Sequence, residues 1–315
     1  MSKPQTTDYL PRHARSGALS ASLAWRKVRE RAIEFVLLLC ALSSVAITLG
    51  IVWVLVNESW QFFANVSMVD FLTDTQWTVL FENPHYGIMP LVTGTLVTST
   101  VALMVALPLG TTIAIYLSEY ANPKVREVLK PILELLSAVP TVVFGYFGLL
   151  FVTPLLQTLL PELPGFNMLS AGIVIGIMIV PYVSSLSEDA MKAVPAHIRE
   201  GSYAMGATRL QTALRVQFPA AFSGIASAYV LGFSRAVGET MVVAIAAGTQ
   251  PNLTLNPLEG AATITAYIVQ VSLGDLPHGS VAYQSIFAAG LTLMCITLIF
   301  NIGGYLLRKK FREIY

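Results

Sequence analysis

The stretch EGSYAMGATRLQTALRVQFP, residues 200–219, is a polar segment between long apolar runs, and its pattern predicts two short helices. Gly206 suits the left-handed backbone that closes a first helix. Thr208 and Gln211 have the spacing of a capping box that begins a second helix. The second helix then carries an apolar stripe of Leu210, Leu214 and Phe218. Such a unit either docks on another protein or lies on lipid headgroups.

The runs on either side of this segment are too apolar for a water-soluble fold. The 315 residues are 55% hydrophobic and 12% charged, which is about half the charge of a soluble domain. A helix needs about 20 mostly apolar residues to cross a bilayer. The sequence therefore predicts an all-α integral membrane protein with an external loop at 57–87 and a polar loop at 188–218. Six stretches are long enough to be transmembrane helices, at residues 33–56, 88–117, 128–152, 168–187, 219–248 and 285–307.

The basic residues predict the orientation of these spans. All but one of the 19 Lys and Arg residues lie in the tails 1–32 and 308–315, after the second span, or in the 188–218 loop. Because positively charged segments stay in the cytoplasm, we expect both termini and this loop inside the cell. The net charge of +1 gives no field for nucleic acid, so we expect no nucleic-acid partner. The other loops carry acidic but no basic residues: Glu58, Asp70, Asp74, Glu82, Glu162, Glu259 and Asp275.

The remaining basic residue, Arg235, lies near the middle of the fifth predicted span. An arginine at that depth costs about 2.5–3.5 kcal/mol, so it is expected to face a bundle interior or a water-filled pathway. Glu239 is four residues further on, one helical turn along the same face, and is the expected partner. The pair is either a structural ion pair or part of a substrate path. A guanidinium favours carboxylate-like or phosphate-like anions.

Helix-breaking residues mark a second candidate region in the third predicted span. Pro140 lies in the stretch Ser137–Thr141, near the middle of that span. A broken helix exposes backbone groups at membrane depth, which is tolerated where they line a cavity. The alternative is an ordinary kink that improves helix packing. We therefore include Ser137 and Thr141 with Arg235 and Glu239 as candidate substrate-pathway residues.

The chain lacks the motifs of an ATP-binding or catalytic protein. No lysine is followed by Ser or Thr, so the phosphate-binding loop of nucleotide-binding proteins is absent. The pattern His-Glu-x-x-His is also absent, the four histidines lie outside the predicted spans, and the spacing of the two cysteines suggests no metal site. We expect no enzyme activity and no cofactor in this chain, and any ATP and Mg²⁺ would be bound by another polypeptide.

Residues 200–219 resemble the EAA loop of bacterial ABC importer permeases, whose pattern is E-A-A-x3-G-x9-I-x-L-P. Glu200, Gly206 and Pro219 match this pattern outright, whereas Gly201 and Ser202 replace its two alanines. Val216 and Phe218 are apolar replacements. In that family the loop is the coupling helix, which inserts into a cleft on a separate ATP-binding subunit. The resemblance implies a type I (MetI-like) permease core and assigns these residues to ATPase coupling: Glu200, Gly201, Ser202, Gly206 and Pro219.

Further stretches resemble the permeases of phosphate-specific (Pst) importers. They are Tyr86–Pro90, Ser137–Gly145 and Ser234–Met241, the last with the Gly-Glu-Thr-Met ending of the C-type subunit. The resemblance implies alternating access in a bacterial inner membrane, with inorganic phosphate as substrate. It also implies an A-type partner permease, two ATP-binding subunits and an external phosphate-binding protein.

Other functions remain open at this point. Sulfate and molybdate permeases share the Arg-x-x-Gly-Glu core, so another oxyanion is the main alternative. An ion-coupled anion transporter with Glu239 as a proton site is a second alternative. An intramembrane lipid-phosphate transferase, with Arg235 binding phosphate and Glu239 as base, is a third.

Overall fold

The computed structural model of the chain describes residues 12–310 except 80, 82, 275 and 278, with side chains described from residue 25 onward except at 28. The ends of the two predicted tails and the acidic residues Glu82 and Asp275 lie outside the described residues. The helices are α1 Arg12–Asn65, α2 Met68–Thr73, α3 Met89–Ile115, α4 Pro123–Ala138, α5 Thr141–Phe147, α6 Thr153–Leu159, α7 Met168–Lys192, α8 Ala196–Ala204, α9 Arg209–Thr212, α10 Phe218–Ala220, α11 Phe222–Val237, α12 Ile264–Ser272 and α13 Val281–Lys310. Wider π-helical turns follow four of the helical segments, at Tyr116–Tyr120, Gly148–Val152, Ala213–Gln217 and Val243–Ala247.

The predicted all-α membrane fold is confirmed. Among the described residues, five helices are long and apolar enough to cross a membrane, and the pair Arg209–Ala220 and Phe222–Val237, bent by 75°, is a sixth candidate. By its contacts the chain divides into residues 1–54 and 55–315. The part of α1 in the first unit is mostly apolar and mostly exposed from residue 33 onward.

Three predicted segments have different bounds in the structure. Helix α1 joins part of the predicted tail 1–32 to the predicted span 33–56, because no proline interrupts residues 12–65. The predicted span 128–152 is divided at Val139–Pro140, where the backbone is extended. Helix α4 before this break is amphipathic, and the membrane-spanning candidate is Thr141–Leu159. The predicted span 219–248 is divided at Gly238–Thr240, and a half-helix, residues 241–247, follows that break.

The core lies between α3 and α7, which pack along each other through small residues. A Cβ atom on Gly176 of α7 would lie 2.7 Å from the carbonyl oxygen of Ala102 on α3. A Cβ atom on Gly110 of α3 would lie 2.8 Å from a side-chain carbon of Val183 on α7. Close backbone approach through glycine and alanine is typical of packed membrane helices. The two helices therefore form the rigid centre on which the other elements are positioned.

A second cluster lies at the end of the bundle opposite α8 and α9. Its rings pack edge to face, with Trp77 5.0 Å from Tyr267 and Phe62 5.7 Å from Phe71, a geometry that stabilises aromatic pairs. His85 Nδ1 lies 2.8 Å from Asp74 Oδ2 in the same region. Part of the predicted external loop 57–87 is thus packed on the bundle through these aromatic rings.

Candidate functional site

The 200–219 segment has the local structure that its sequence predicts. Gly206 has φ +82° and ends the turn after α8. The Thr208 side chain accepts a hydrogen bond from the Gln211 backbone, and the Gln211 side chain accepts one from the Thr208 backbone. These two reciprocal bonds are the predicted capping box. The helix–glycine–helix prediction is therefore confirmed.

The segment presents an apolar face to its surroundings. Met205, Leu210 and Leu214 are 88%, 53% and 48% exposed, whereas Phe218 is half-buried. Glu200 and Gly201 are also exposed, and nothing lies within 4 Å of the position of a Cβ atom on Gly201. The buried side of the second helix is formed by Thr212, Ala213 and Gln217.

Ser202 and Pro219, the other residues assigned to coupling, have local structural positions. The Ser202 hydroxyl lies 2.9 Å from that of Thr212, which joins α8 to α9. Pro219 lies in the first turn of the short helix α10, where its missing N–H costs no hydrogen bond. Ser202 therefore contributes to the junction of α8 and α9, and Pro219 is compatible with the start of α10.

Two buried carboxylates that the sequence analysis missed lie at this end of the bundle. Glu119, just beyond α3, pairs with Arg199 and accepts a hydrogen bond from Tyr203, both on α8. Glu188, near the end of α7, is completely buried. For Glu188, the one sequence signal of an ion pair is the spacing of four residues to Lys192. For Glu119 no such spacing indicates an ion pair, because its partners lie on another helix.

Glu188 is the centre of an ion cluster that joins α4 to α7. Its carboxylate lies 2.7 Å from Arg126 Nε and 3.5 Å from Lys130 Nζ, and it also pairs with Lys192. Lys130 in turn bonds Asp189 at 3.1 Å. Burial opposes the charge on Lys130, but the hydrogen bond to Asp189 and the carboxylate charges outweigh it and raise the pKa of the lysine.

Arg235 lies on an exposed stripe of α11 together with Leu231, and the stripe continues to the cap residue Gly238. Its guanidinium is stacked over the ring of Tyr182 on α7, 5.9 Å from the ring centroid, within the range of a cation–π contact. Tyr182 is itself partly exposed. The structure thus places a cation over an aromatic ring on an exposed surface formed by two of the candidate spanning helices.

The predicted ion pair between Arg235 and Glu239 is wrong. Helix α11 ends at Val237 and Gly238 follows as its cap, so Glu239 does not lie one turn along the same helix. Instead, Glu239 Oε1 accepts hydrogen bonds from the backbone N–H groups of Met241 and Val242, at 3.1 and 3.3 Å. The carboxylate therefore caps the half-helix 241–247, the position where a negative charge is favourable.

The break at Gly238–Thr240 is supported from α12 as well. The Thr265 hydroxyl donates a hydrogen bond to the backbone carbonyl of Glu239, at 2.7 Å. Thr265 is buried. A carbonyl released by a broken helix must find a partner at membrane depth, and Thr265 provides it. The sequence analysis missed this residue.

Ser137 and Thr141 lie on the two sides of the other break. Ser137 is exposed and donates its hydroxyl to the carbonyl of Glu134, while Thr141 begins α5. Within the described residues, no hydrogen bond or ion pair joins either of them to Arg235 or Glu239. Helix α5 does pack on the half-helix 241–247, because Gly145 leaves room for Ile245.

The rise per residue places Ser137 and Tyr182 at a similar level along α4 and α7. Lys130 on α4 contacts Asp189 on α7, and Gly148, beyond α4, faces Val174, so the chain from α4 onward runs antiparallel to α7. Ser137 and Tyr182 therefore both lie about 10 Å along their helices from the Lys130–Asp189 contact, at about 1.5 Å per residue. Across the part of the chain that the structure describes, no group of three or more His, Cys, Asp or Glu residues could hold a metal ion.

Comparison with known sequences identifies the family. The family described as "binding-protein-dependent transport system inner membrane component" matches residues 106–313. The probable ABC transporter permease protein YqgH of Bacillus subtilis is 34% identical over 287 residues, covering 90% of this chain and 93% of the relative. The phosphate transport system permease protein PstC of Mesorhizobium japonicum is 32% identical over 297 residues, covering 87% and 86%.

Solved structures show the same fold. A chain of a bacterial ABC transporter that imports the acidic polysaccharide alginate aligns with a TM-score of 0.64 at 16% identity, covering 92% of this chain and 99% of that one. A chain of the MetNI methionine ABC transporter aligns with a TM-score of 0.54 at 18% identity, covering 72% and 95%. The predicted MetI-like core is confirmed, and the chain belongs to the family of inner membrane components of binding-protein-dependent transport systems.

Proposed function

We propose that this chain is the C-type permease subunit of an ATP-driven importer for inorganic phosphate. The observation that carries the proposal is the exposed guanidinium of Arg235 beside Tyr182, in the spanning region. A charge exposed at that depth needs a water-filled path or a covering subunit. A guanidinium offers paired donors to a tetrahedral oxyanion. The relatives named as phosphate permeases support phosphate as that oxyanion.

The substrate path in this proposal follows the residues at the level of Arg235. Ser137 and Thr141 flank the break at Pro140, and the first N–H groups of α5 receive no side-chain cap. Such half-helix ends favour anions. Glu239 has a different role from the one that its spacing suggested. By capping residues 241–247 it maintains the break beside Arg235, and it does not itself bind the anion.

The remaining parts of the importer follow from the exposed surfaces. The apolar face of Met205, Leu210 and Leu214 docks into an ATP-binding subunit, and two such subunits bind the ATP and Mg²⁺. An A-type permease covers the open stripe of α11 and completes the path. A phosphate-binding protein delivers the anion at the opposite end, and the positive-inside rule places both termini and the α8–α9 segment in the cytoplasm.

Uptake of radiolabelled phosphate by cells that depend on this importer tests the proposal. Arg235→Gln should reduce uptake about ten-fold or more, the effect of losing one charge-assisted hydrogen bond. Membrane insertion and assembly with the partner subunits should be unchanged. Arg29→Gln, which removes an exposed arginine of α1, is the matched control and should transport normally. Normal uptake by Arg235→Gln would remove this residue from the path.

A further inference from the structure

Helix α8 is linked to the end of α3 by a single buried carboxylate. Glu119 lies in the π-helical turn that follows α3, and its side chain is 2% exposed. One carboxylate oxygen lies 3.5 Å from Arg199 Nη1, and the other accepts a hydrogen bond of 2.8 Å from the Tyr203 hydroxyl. Two side-chain bonds between α8 and the end of α3 therefore meet on one residue.

The two donors are placed to hold α8 in one orientation. Arg199 and Tyr203 are four residues apart, so they lie on the same face of α8, one turn from each other. Burial and the bond to Glu119 raise the pKa of Tyr203, and a phenol, which is protonated at neutral pH in any case, donates to the carboxylate. Bonds to an ionised acceptor are about twice as strong as neutral ones. Rotation of α8 about its axis, or a shift along it, would move both donors relative to the carboxylate.

The carboxylate is attached to the rigid part of the bundle. Helix α3 continues into the π-helical turn Tyr116–Tyr120, which closes with a 2.9 Å bond from the Ala121 N–H to the Tyr116 carbonyl. Turns of this kind often occur at functional positions. Because α3 packs tightly along α7 through Gly110 and Gly176, a displacement of Glu119 would be transmitted to the packed pair of α3 and α7.

We propose that Glu119 is a positioning residue that passes movements of α8 to α3. The inference rests on the proposed function, because it assumes that an ATP-binding subunit moves the α8–α9 segment. The covalent connection of α8 to the preceding helix α7 is then not sufficient by itself to transmit the movement. Loss of Glu119 leaves the docking face intact but lets α8 move without α3. ATP hydrolysis becomes uncoupled from transport.

The test measures phosphate carried per ATP hydrolysed by the whole importer in proteoliposomes. Glu119→Gln keeps the size of the side chain and removes its charge. It should lower the ratio about ten-fold, the factor for one charge-assisted hydrogen bond, with the ATP-binding subunits still bound. Tyr203→Phe removes only the hydroxyl and should lower the ratio in the same direction. Glu127→Gln on α4, whose carboxylate is exposed and forms no ion pair within the described residues, is the matched control.

The outcomes separate this inference from the proposed function. If the unmodified importer carries no phosphate, the proposed function fails. If it carries phosphate and both Glu119→Gln and Tyr203→Phe keep its ratio, the coupling role of Glu119 is overturned. If Glu119→Gln does not assemble, Tyr203→Phe decides: a lowered ratio supports the role, and an unchanged ratio overturns it. A merely structural role would reduce the amount of assembled complex without changing its ratio.

Discussion

Replacing Glu188 by glutamine tests whether the ion cluster near the C-terminal end of α7 stabilises the fold. The substitution preserves the shape of the side chain and removes the negative charge that Arg126, Lys130 and Lys192 share. Glu188 has no exposed surface, whereas the three cations are 38%, 26% and 26% exposed. After the substitution the cations regain water more easily than a buried carboxylate could.

The expected loss follows from opposing effects. At 2.7 Å, the attraction between Arg126 and Glu188 is about 6 kcal/mol at an effective dielectric constant of 20. The desolvation of a buried ion offsets several kcal/mol of this. Removing one partner of a buried pair typically costs about 3–5 kcal/mol. Because the cations are partly exposed, we expect the lower end, about 3 kcal/mol.

Thermal unfolding of the purified chain in detergent provides the assay. A loss of about 3 kcal/mol should lower the midpoint by about 5 °C or more. Glu127→Gln, an exposed acid on the neighbouring α4, should leave the midpoint unchanged. Arg126→Gln should cost less than Glu188→Gln, since two lysines still neutralise the carboxylate, and the double variant should cost less than the sum. An unchanged midpoint for Glu188→Gln would refute the reasoning.

Three further predictions concern the 200–219 segment, the core and the 57–87 segment. Gly206→Ala should weaken binding of the ATP-binding subunit, because φ +82° costs an alanine about 1–2 kcal/mol; copurification measures this. Gly176→Ala should destabilise the chain by about 1–3 kcal/mol in the same thermal assay, since its Cβ would lie 2.7 Å from the Ala102 carbonyl. The hydrogen bond from His85 lowers the pKa of Asp74. The ionised carboxylate should therefore stabilise the folded chain above the ordinary carboxyl pKa of 3.8, and this stabilisation should be lost as the pH falls through the lower pKa of the folded state. Unfolding midpoints at several pH values measure this.

Gly303→Ala on α13 is the control for both glycine substitutions, because a Cβ atom there would meet nothing within 4 Å. Equal effects of Gly206→Ala and Gly303→Ala on binding would contradict the role of the left-handed backbone, and equal effects of Gly176→Ala and Gly303→Ala on stability would contradict the role of close packing. Asp74→Asn should have the largest effect at neutral pH; a pH-independent difference from the unmodified chain would contradict the account.

Local signals predicted local structure well. The left-handed Gly206 and the capping box at Thr208 depend on a few neighbouring residues, so their pattern is complete in the sequence. Apolar run length predicted the membrane helices for the same reason. The pattern at 200–219 also indicated the family, because its spacing reflects two helices and the turn between them.

Contacts between distant segments could not be predicted in this way. The predicted ion pair of Arg235 and Glu239 requires a continuous helix, but Gly238 ends that helix and the Glu239 carboxylate caps the next one instead. Glu119 has its partners 80 and 84 positions away, and Glu188 has two of its three cations on α4. Sequence periodicity relates residues within one helix, so these contacts can be recognised only when the packing of α3, α4, α7 and α8 is known.

The most direct test of the proposed function is uptake of radiolabelled phosphate into proteoliposomes that contain this chain, its partner permease and the ATP-binding subunits. The binding protein is added outside, ATP is enclosed, and unlabelled phosphate, sulfate or molybdate is the competitor. We predict uptake that requires ATP and the ATP-binding subunits and that only unlabelled phosphate suppresses. Equal suppression by sulfate or molybdate, or uptake without the ATP-binding subunits, would contradict the proposal.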